Sequence, residues 1–224
     1  GQARNLYQYA AALFNNSENK NKNVNDLLPR LWKTFNRKLE EDDLAFLRDE
    51  HQYLNVLLTE LPKGDWAVTV LRQFFLSAFQ SLQYESLKKS SDEQLAAIAE
   101  KSIKEVAYHL RWSSEWVVRL GDGTEESRSR MQNALSVLWN YTGELFEPAP
   151  YELDLAKEDI IVSPATFKPQ WMKKVEEIFA MATLSLPKTG WIQSGGKTGI
   201  HTEHLGYLLA EMQYMQRTFP NLTW

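Results

Sequence analysis

Residues 71–82, LRQFFLSAFQSL, decide the fold class, because their apolar side chains recur at the spacing of a packed helix. These side chains lie three or four residues apart, at Leu71, Phe74, Phe75, Ala78, Phe79 and Leu82. A period near 3.6 residues places them on one helix face. Pro62-Lys63-Gly64 interrupts the pattern upstream, and we expect Asp65 to cap the first turn of this helix.

The same spacing continues on both sides of this segment. Upstream, it predicts one packed helix across residues 42–61, with a seam at Leu44, Leu47, His51, Leu54, Leu58 and Leu61. Downstream, Ser91 and Gln94 form a predicted capping box. The helix that follows is expected to end at Gly121-Asp122-Gly123. Thr124 then begins a helix whose inner face is Met131, Leu135, Leu138, Thr142 and Leu145.

The outer segments complete an all-helical pattern. Residues 2–14 are predicted to be helical, and residues 15–26 an exposed loop. Residues 148–168 are expected to be irregular, with Ile160-Ile161-Val162 as the only strand-like piece. Pro169 suits the first turn of another helix. The last helix carries Leu205, Leu208, Leu209, Met212, Met215 and Phe219, and Pro220 is expected to stop it. Short turns between helices predict an up-down bundle, as one domain over residues 1–224.

Composition limits the class of protein. The chain has 224 residues and a net charge of −4, which argues against nucleic-acid binding. It contains no cysteine, which excludes disulfides and thiolate metal sites and fits a cytoplasmic location. No apolar run approaches membrane-spanning length, so no membrane contact is expected. The 8 Trp, 9 Tyr and 10 Phe residues indicate either a tight core or a partner surface.

Helical bundles can hold two irons through Glu-x-x-His motifs, since residues three apart share a helix face. This sequence contains no such motif. It has Glu-x-x-Tyr sets instead, among them Glu50 with Tyr53 and Glu105 with Tyr108. Neutral phenols replace imidazole poorly. We therefore expect these residues and His109 to be degenerate di-iron positions that bind no metal, with Glu105 and His109 forming a buried hydrogen bond or ion pair.

The stretch GGKTGIHTEHLG, residues 195–206, invites two other interpretations. A phosphate loop is rejected, because the required Gly is missing five residues before Gly196. Contact of Lys197 with an anion at a helix start stays a weak alternative. Zinc binding by His201, Glu203 and His204 lacks a convincing third ligand. His204 and Glu211 share a helix face, and a polar seam between packed helices is favoured for them. The role of this motif is left open.

Several motifs together resemble the C subunit of the multicomponent ring 1,2-phenylacetyl-CoA epoxidases. The similarity runs from Leu44 to Trp224, and its most specific part is the stretch from His201 to Gly206. The matching motifs are Gly1-Gln2-Ala3-Arg4-Asn5, Arg48-Asp49-Glu50, Ile103-Lys104-Glu105, Tyr108-His109-Leu110-Arg111, His201-Thr202-Glu203-His204-Leu205-Gly206 and Leu209-Ala210-Glu211-Met212-Gln213-Tyr214. Family members carry further helical sequence before the position of Gly1, so a bundle helix is expected to be missing. The stretch of residues 15–41 is longer than the corresponding stretch expected of the family.

The resemblance implies a ferritin-like fold with extra C-terminal helices and a non-catalytic, structural role in aerobic phenylacetate degradation. It implies no cofactor in this chain. A catalytic A subunit would hold the di-iron centre and bind the CoA thioester, and a reductase would supply electrons from NADPH. Two alternatives stay open: a self-sufficient di-iron oxygenase using Glu50, Glu85, Glu105 and His109, and a helical adaptor unrelated to oxygenation. Self-association is also left open.

Overall fold

The computed structural model of the chain describes residues 41–187, 192–219 and 222. Within those residues the secondary structure is entirely helical. The α-helices are α1 (Glu41–Phe46), α2 (Trp66–Leu87), α3 (Glu93–Gly121), α4 (Glu125–Leu138), α5 (Pro150–Lys157), α6 (Lys168–Met181) and α7 (Glu203–Thr218). Short 3-10 turns lie at Glu50–Gln52, Leu57–Thr59, Trp139–Tyr141, Gly143–Phe146, Pro164–Phe167 and Gly196–Thr198. The predicted all-α, ferritin-like helical bundle is confirmed.

The chain divides into two compact units. The first unit comprises Gly1–Leu61 and Gly195–Trp224, and the second comprises Pro62–Ser194. The single domain expected over residues 1–224 stays a prediction. The helix expected at residues 2–14, the loop at 15–26 and the stop at Pro220 lie outside the described residues.

Helix starts in the second unit follow the capping residues of the sequence. The Asp65 carboxylate accepts a hydrogen bond from the Val68 backbone N–H at 3.0 Å, as predicted. Thr124 and Ser127 bond reciprocally at the start of α4. The cap predicted at Ser91 is wrong by one residue, because the Asp92 carboxylate accepts from the Leu95 N–H at 2.9 Å. Ser91 is engaged elsewhere, since its hydroxyl donates to the Glu158 carbonyl.

Aromatic side chains form the core of the second unit. Phe75 lies at its centre, with ring contacts to Phe74, Trp139, Trp171 and Phe179. The Trp171 indole N–H donates to the Phe75 carbonyl at 3.0 Å, so the polar atom of this buried side chain is satisfied. The predicted stripe on α2 is therefore a core face, and much of the aromatic excess is used for internal packing.

Residues 148–168 are not irregular throughout, which corrects the prediction. Residues 150–157 form α5, and Pro164–Phe167 form a 3-10 turn. Pro150 lies in the first turn, where its missing N–H leaves no hydrogen bond unmade. The Glu152 side chain accepts from the Ala149 N–H at 2.8 Å and closes the helix start. Pro150 and Pro164 each lie in the first turn of a helical segment here. Of the strand-like residues, Ile160 and Ile161 lie in bends and Val162 has no regular structure.

The continuous helix predicted across residues 42–61 is also wrong. Helix α1 ends at Phe46, and a separate 3-10 turn begins after Asp49. The Asp49 N–H donates to the Gln52 side chain at 2.7 Å, which replaces the bond that a continuing helix would make. Tyr53 and Val56 are then extended, with ψ of 140° and 139°. The regular leucine spacing reflects burial of successive turns rather than one helix.

Helix α7 is present as predicted, but its buried face is rotated from the predicted stripe. Leu205, Leu209 and Gln213 are buried, at intervals of four residues. Tyr53 completes a small apolar cluster with the two leucines. The other predicted members of the stripe are between 39% and 45% exposed, at Leu208, Met212, Met215 and Phe219. Apolar spacing alone does not reveal which edge of a wide stripe faces the protein.

Candidate functional site

A buried histidine–carboxylate pair is the centre of the polar cluster in the first unit. The His201 side chain is fully buried, and its Nδ1 lies 2.6 Å from Oε1 of Glu60. Its Nε2 lies 2.8 Å from the backbone carbonyl oxygen of Tyr53. A carbonyl oxygen only accepts, so Nε2 must carry a proton and donate it. Both ring nitrogens are therefore used in hydrogen bonds inside the protein.

The Glu60 carboxylate is hydrogen-bonded to three residues, Thr202, Asn55 and His201. The backbone N–H and the hydroxyl of Thr202 both donate to its Oε2 at 2.8 Å. The Asn55 side-chain amide donates to its Oε1 at 2.8 Å. At 2.6 Å, His201 Nδ1 and Glu60 Oε1 must share a proton, since two bare acceptors would repel each other. We call the four residues Asn55, Glu60, His201 and Thr202 the His–Glu cluster.

The electrostatics of His201 agree with this geometry. Burial lowers the pKa of His201, but the hydrogen bond to Glu60 and the negative charge of Glu60 act in the opposite direction. The Tyr53 carbonyl and the charge of Glu50 add to them, and the pKa is raised above the ordinary value of 6.5. A raised pKa means that the charged form stabilises the fold at low pH, and this contribution is lost as the pH rises through the folded-state pKa.

The glycines before His201 allow two backbone segments to approach closely. Gly195 and Gly199 have φ of 133° and 84°, a region that side chains disfavour. A β-carbon on Gly196 would collide with the Asn55 carbonyl oxygen. Lys197 is itself only 4% exposed. The glycines thus serve a tight turn packed against residues 51–57, and contact of Lys197 with an anion stays a prediction.

A second set of contacts joins α7 to the start of this unit. The Tyr53 hydroxyl donates to the Ala45 carbonyl at 2.6 Å, and the Arg48 guanidinium lies over its ring at 4.2 Å. The Gln213 amide donates to the Arg48 carbonyl at 2.8 Å. Burial is the main effect on the pKa of Arg48 and lowers it. These contacts connect α7 to residues 45–53 within the first unit.

Sequence reasoning missed Glu60 and Gln213. One signal for Glu60 was available, since it is a charged residue inside the apolar run Leu57-Leu58-Thr59-Glu60-Leu61. A carboxylate in such a run is expected to be either exposed or paired. Its partner lies 141 residues further along the chain, and no local pattern names it.

The predicted di-iron positions on α3 lie at the surface. His109 Nε2 is 3.6 Å from Glu105 Oε1, and the two side chains are 41% and 56% exposed. The expectation of a buried pair is therefore wrong, because α3 turns this face towards solvent. Tyr108 is 54% exposed. Burial and the Glu105 charge raise the pKa of the neighbouring Tyr84 to about 12.

The other two predicted positions belong to the first unit. Glu50 begins a 3-10 turn and is exposed, whereas Tyr53 is buried. Among the described residues, no group of three or more His, Asp or Glu side chains has an arrangement that could hold a metal ion. That these residues are degenerate metal positions stays a prediction. For the zinc alternative, His201 is bonded at both nitrogens, while Glu203 is exposed on α7.

Together, these features define an all-α, ferritin-like protein whose most specific sequence motif is used for internal bonding. The chain belongs to the phenylacetic acid catabolic protein family, whose model matches residues 1–224. It is 42% identical over 224 residues to the C subunit of the 1,2-phenylacetyl-CoA epoxidase of Escherichia coli (strain K12). That alignment covers 100% of this chain and 82% of the relative. The resemblance stated from the motifs is confirmed. In the described part, no helix has both the length and the apolar character needed to cross a bilayer.

Proposed function

We propose that this chain is the structural C subunit of a 1,2-phenylacetyl-CoA epoxidase and has no catalytic centre of its own. It acts in aerobic phenylacetate degradation, where it supports a catalytic subunit that holds the two irons and binds the CoA thioester. A reductase delivers electrons to that catalytic subunit. The observation that carries this proposal is the 42% identity to a protein named as the C subunit of the epoxidase.

The use of the polar residues supports a structural role. His201 and Thr202 belong to the most specific motif of the chain, and both bond to the buried Glu60 inside one unit. Both imidazole nitrogens are occupied by these internal bonds. A general base or metal ligand needs a free nitrogen that faces substrate or metal. The motif is therefore better suited to holding α7 in place than to chemistry.

The alternative of a self-sufficient di-iron oxygenase has less support. Its ligands would be Glu50, Glu85, Glu105 and His109. Glu85 forms an exposed ion pair with Lys88 at 2.8 Å, and Glu105 faces His109 at the surface. Di-iron sites of helical bundles use carboxylates that project into the core. The comparisons also favour the main proposal, since they name an epoxidase subunit.

An exposed aromatic surface is the part of the second unit that we expect to contact the catalytic subunit. Trp66 on α2 is 47% exposed and makes edge contacts with Trp112 and Trp116 of α3, both at 5.8 Å. Arg119 lies over the Trp116 ring, and Tyr108 projects from the same helix. Tryptophan, tyrosine and arginine are the residues that most often dominate binding energy at interfaces.

Co-purification tests this proposal. The chain is expressed with the di-iron catalytic subunit from the same source, and an affinity tag is placed on the catalytic subunit only. We expect both chains to elute together from the affinity column and from a sizing column in a fixed ratio. If this chain passes through the affinity column unbound and elutes from the sizing column at its own size, the proposal is contradicted.

A further inference from the structure

We propose that the His–Glu cluster is a pH-sensitive latch, which holds the turn Gly196–Thr198 and the start of α7 against residues 53–60 only while the His201 ring carries two protons. This inference concerns the first unit alone. It does not depend on the proposed function.

The geometry fixes the number of protons that the latch needs. Nε2 of His201 lies 2.8 Å from the Tyr53 carbonyl oxygen. A carbonyl has no proton to donate, so Nε2 must carry one. Nδ1 faces Glu60 Oε1 at 2.6 Å, so a second proton must lie between these two atoms. Without it, a nitrogen lone pair would oppose a carboxylate oxygen in a space that excludes water. The bond would then become a repulsion between two buried acceptors.

The two sides of the latch belong to different parts of the sequence. Glu60 and Tyr53 contribute from the segment that follows α1, whereas His201 and Thr202 come from the residues just before α7. The Thr202 N–H and hydroxyl bond to the Glu60 oxygen that His201 leaves free. Loss of the shared proton therefore disturbs the anchor of both Thr202 bonds as well. This common dependence on one carboxylate is the reason to expect a joint release of both segments.

The charged neighbours act in the same direction. Glu60 and Glu50 are the negative groups from the segment after α1 that raise the pKa of His201. The ionisable residues near His201 in its own segment are Lys197, Glu203 and His204. Because the folded-state pKa lies above 6.5, the latch is closed at mildly acidic pH and opens as the pH rises through that pKa.

Two measurements on the full chain test the latch. Histidine labelled with nitrogen-15 reports by NMR whether each ring nitrogen carries a proton, and the His201→Gln variant assigns its signals among the four histidines. Hydrogen exchange followed by mass spectrometry, corrected for the intrinsic rate at each pH, reports on residues 50–61 and 195–210. Residues 66–87 of α2 serve as the internal reference.

We expect His201 to hold protons on both nitrogens at pH 6 and to titrate above about 6.5. Across that titration, protection of both segments should fall together by about tenfold, while α2 is unchanged. His201→Gln should remove this pH dependence, and the matched variant His109→Gln should retain it. If His201→Gln does not fold, the NMR titration and the hydrogen exchange of the unsubstituted chain test the proposal by themselves. Titration of His201 at or below about 6.5, or constant protection of both segments through it, overturns the proposal.

Discussion

Gly199 approaches His51 so closely that a β-carbon on the glycine would lie 2.5 Å from the His51 carbonyl oxygen. The residue also has φ of 84°, where an L side chain is strained. We therefore expect Gly199→Ala to lower the free energy of unfolding by about 2 kcal/mol or more, from backbone strain and steric overlap. Urea unfolding followed by circular dichroism measures this change.

Gly206 provides the matched control, because it lies inside α7 and a β-carbon there meets only Glu50 Oε2 at 3.4 Å. Alanine is the better helix former by about 1 kcal/mol, so Gly206→Ala should be neutral or stabilising. Equal losses for both variants would mean that the turn at Gly199 is not constrained in the way described.

The hydrogen bond between Trp171 and Phe75 predicts a cost for even a conservative core change. Trp171→Phe removes the indole donor and part of a fully buried ring, and we expect a loss of about 2–3 kcal/mol in the free energy of unfolding. Trp66→Phe is the control, because Trp66 is 47% exposed, and its expected loss is under about 1 kcal/mol. A Trp171 variant as stable as the original chain would show that the aromatic core does not depend on this bond.

The exposed pair of Glu105 and His109 should matter little for stability. Exposed ion pairs contribute about 0–1 kcal/mol, so Glu105→Gln and His109→Gln should each change the free energy of unfolding by less than about 1 kcal/mol. Neither variant should change the small amount of iron that purifies with the chain. Plasma emission spectroscopy measures the iron, and a loss of stoichiometric iron on Glu105→Gln would favour the self-sufficient oxygenase.

The aromatic surface around Trp66 gives a prediction about assembly. Tyr108→Ala removes a large exposed side chain, and we expect it to weaken association with the catalytic subunit by about tenfold or more without loss of helicity. Val137→Ala is the control, since Val137 is 58% exposed on α4 and outside that surface. Analytical ultracentrifugation of mixtures gives both affinities. Identical affinities for the two variants would remove Tyr108 from the interface.

Local signals in the sequence predicted the helices well where one residue decides the outcome. Asp65 and Thr124 cap the helices that they were expected to cap, and Pro169 lies in a first turn. The pattern failed across residues 42–61, because burial of successive turns imitates the spacing of a helix. It also failed at Pro150, since a proline that begins a short helix and a proline that breaks one look alike in sequence.

The candidate site was harder to predict, because its members lie far apart in the chain. The sequence favoured a polar seam at His204 and Glu211, but Glu211 is exposed. The buried bond is made by His201 instead, and its acceptor Glu60 is 141 residues away. Only the folded structure shows that both nitrogens of one imidazole are bonded internally. The exposure of Glu105 and His109 was likewise invisible, since a helical spacing of four fits a surface pair as well as a buried one.

Reconstitution of epoxidation tests the central claim most directly. Conversion of phenylacetyl-CoA is measured with reductase, NADPH and oxygen, using this chain alone, the catalytic subunit alone, or both together, with iron determined in every sample. We predict no product and only trace iron for this chain alone, and the highest rate when both subunits are present. Product formation by this chain without the catalytic subunit, together with about two bound irons, would contradict the account.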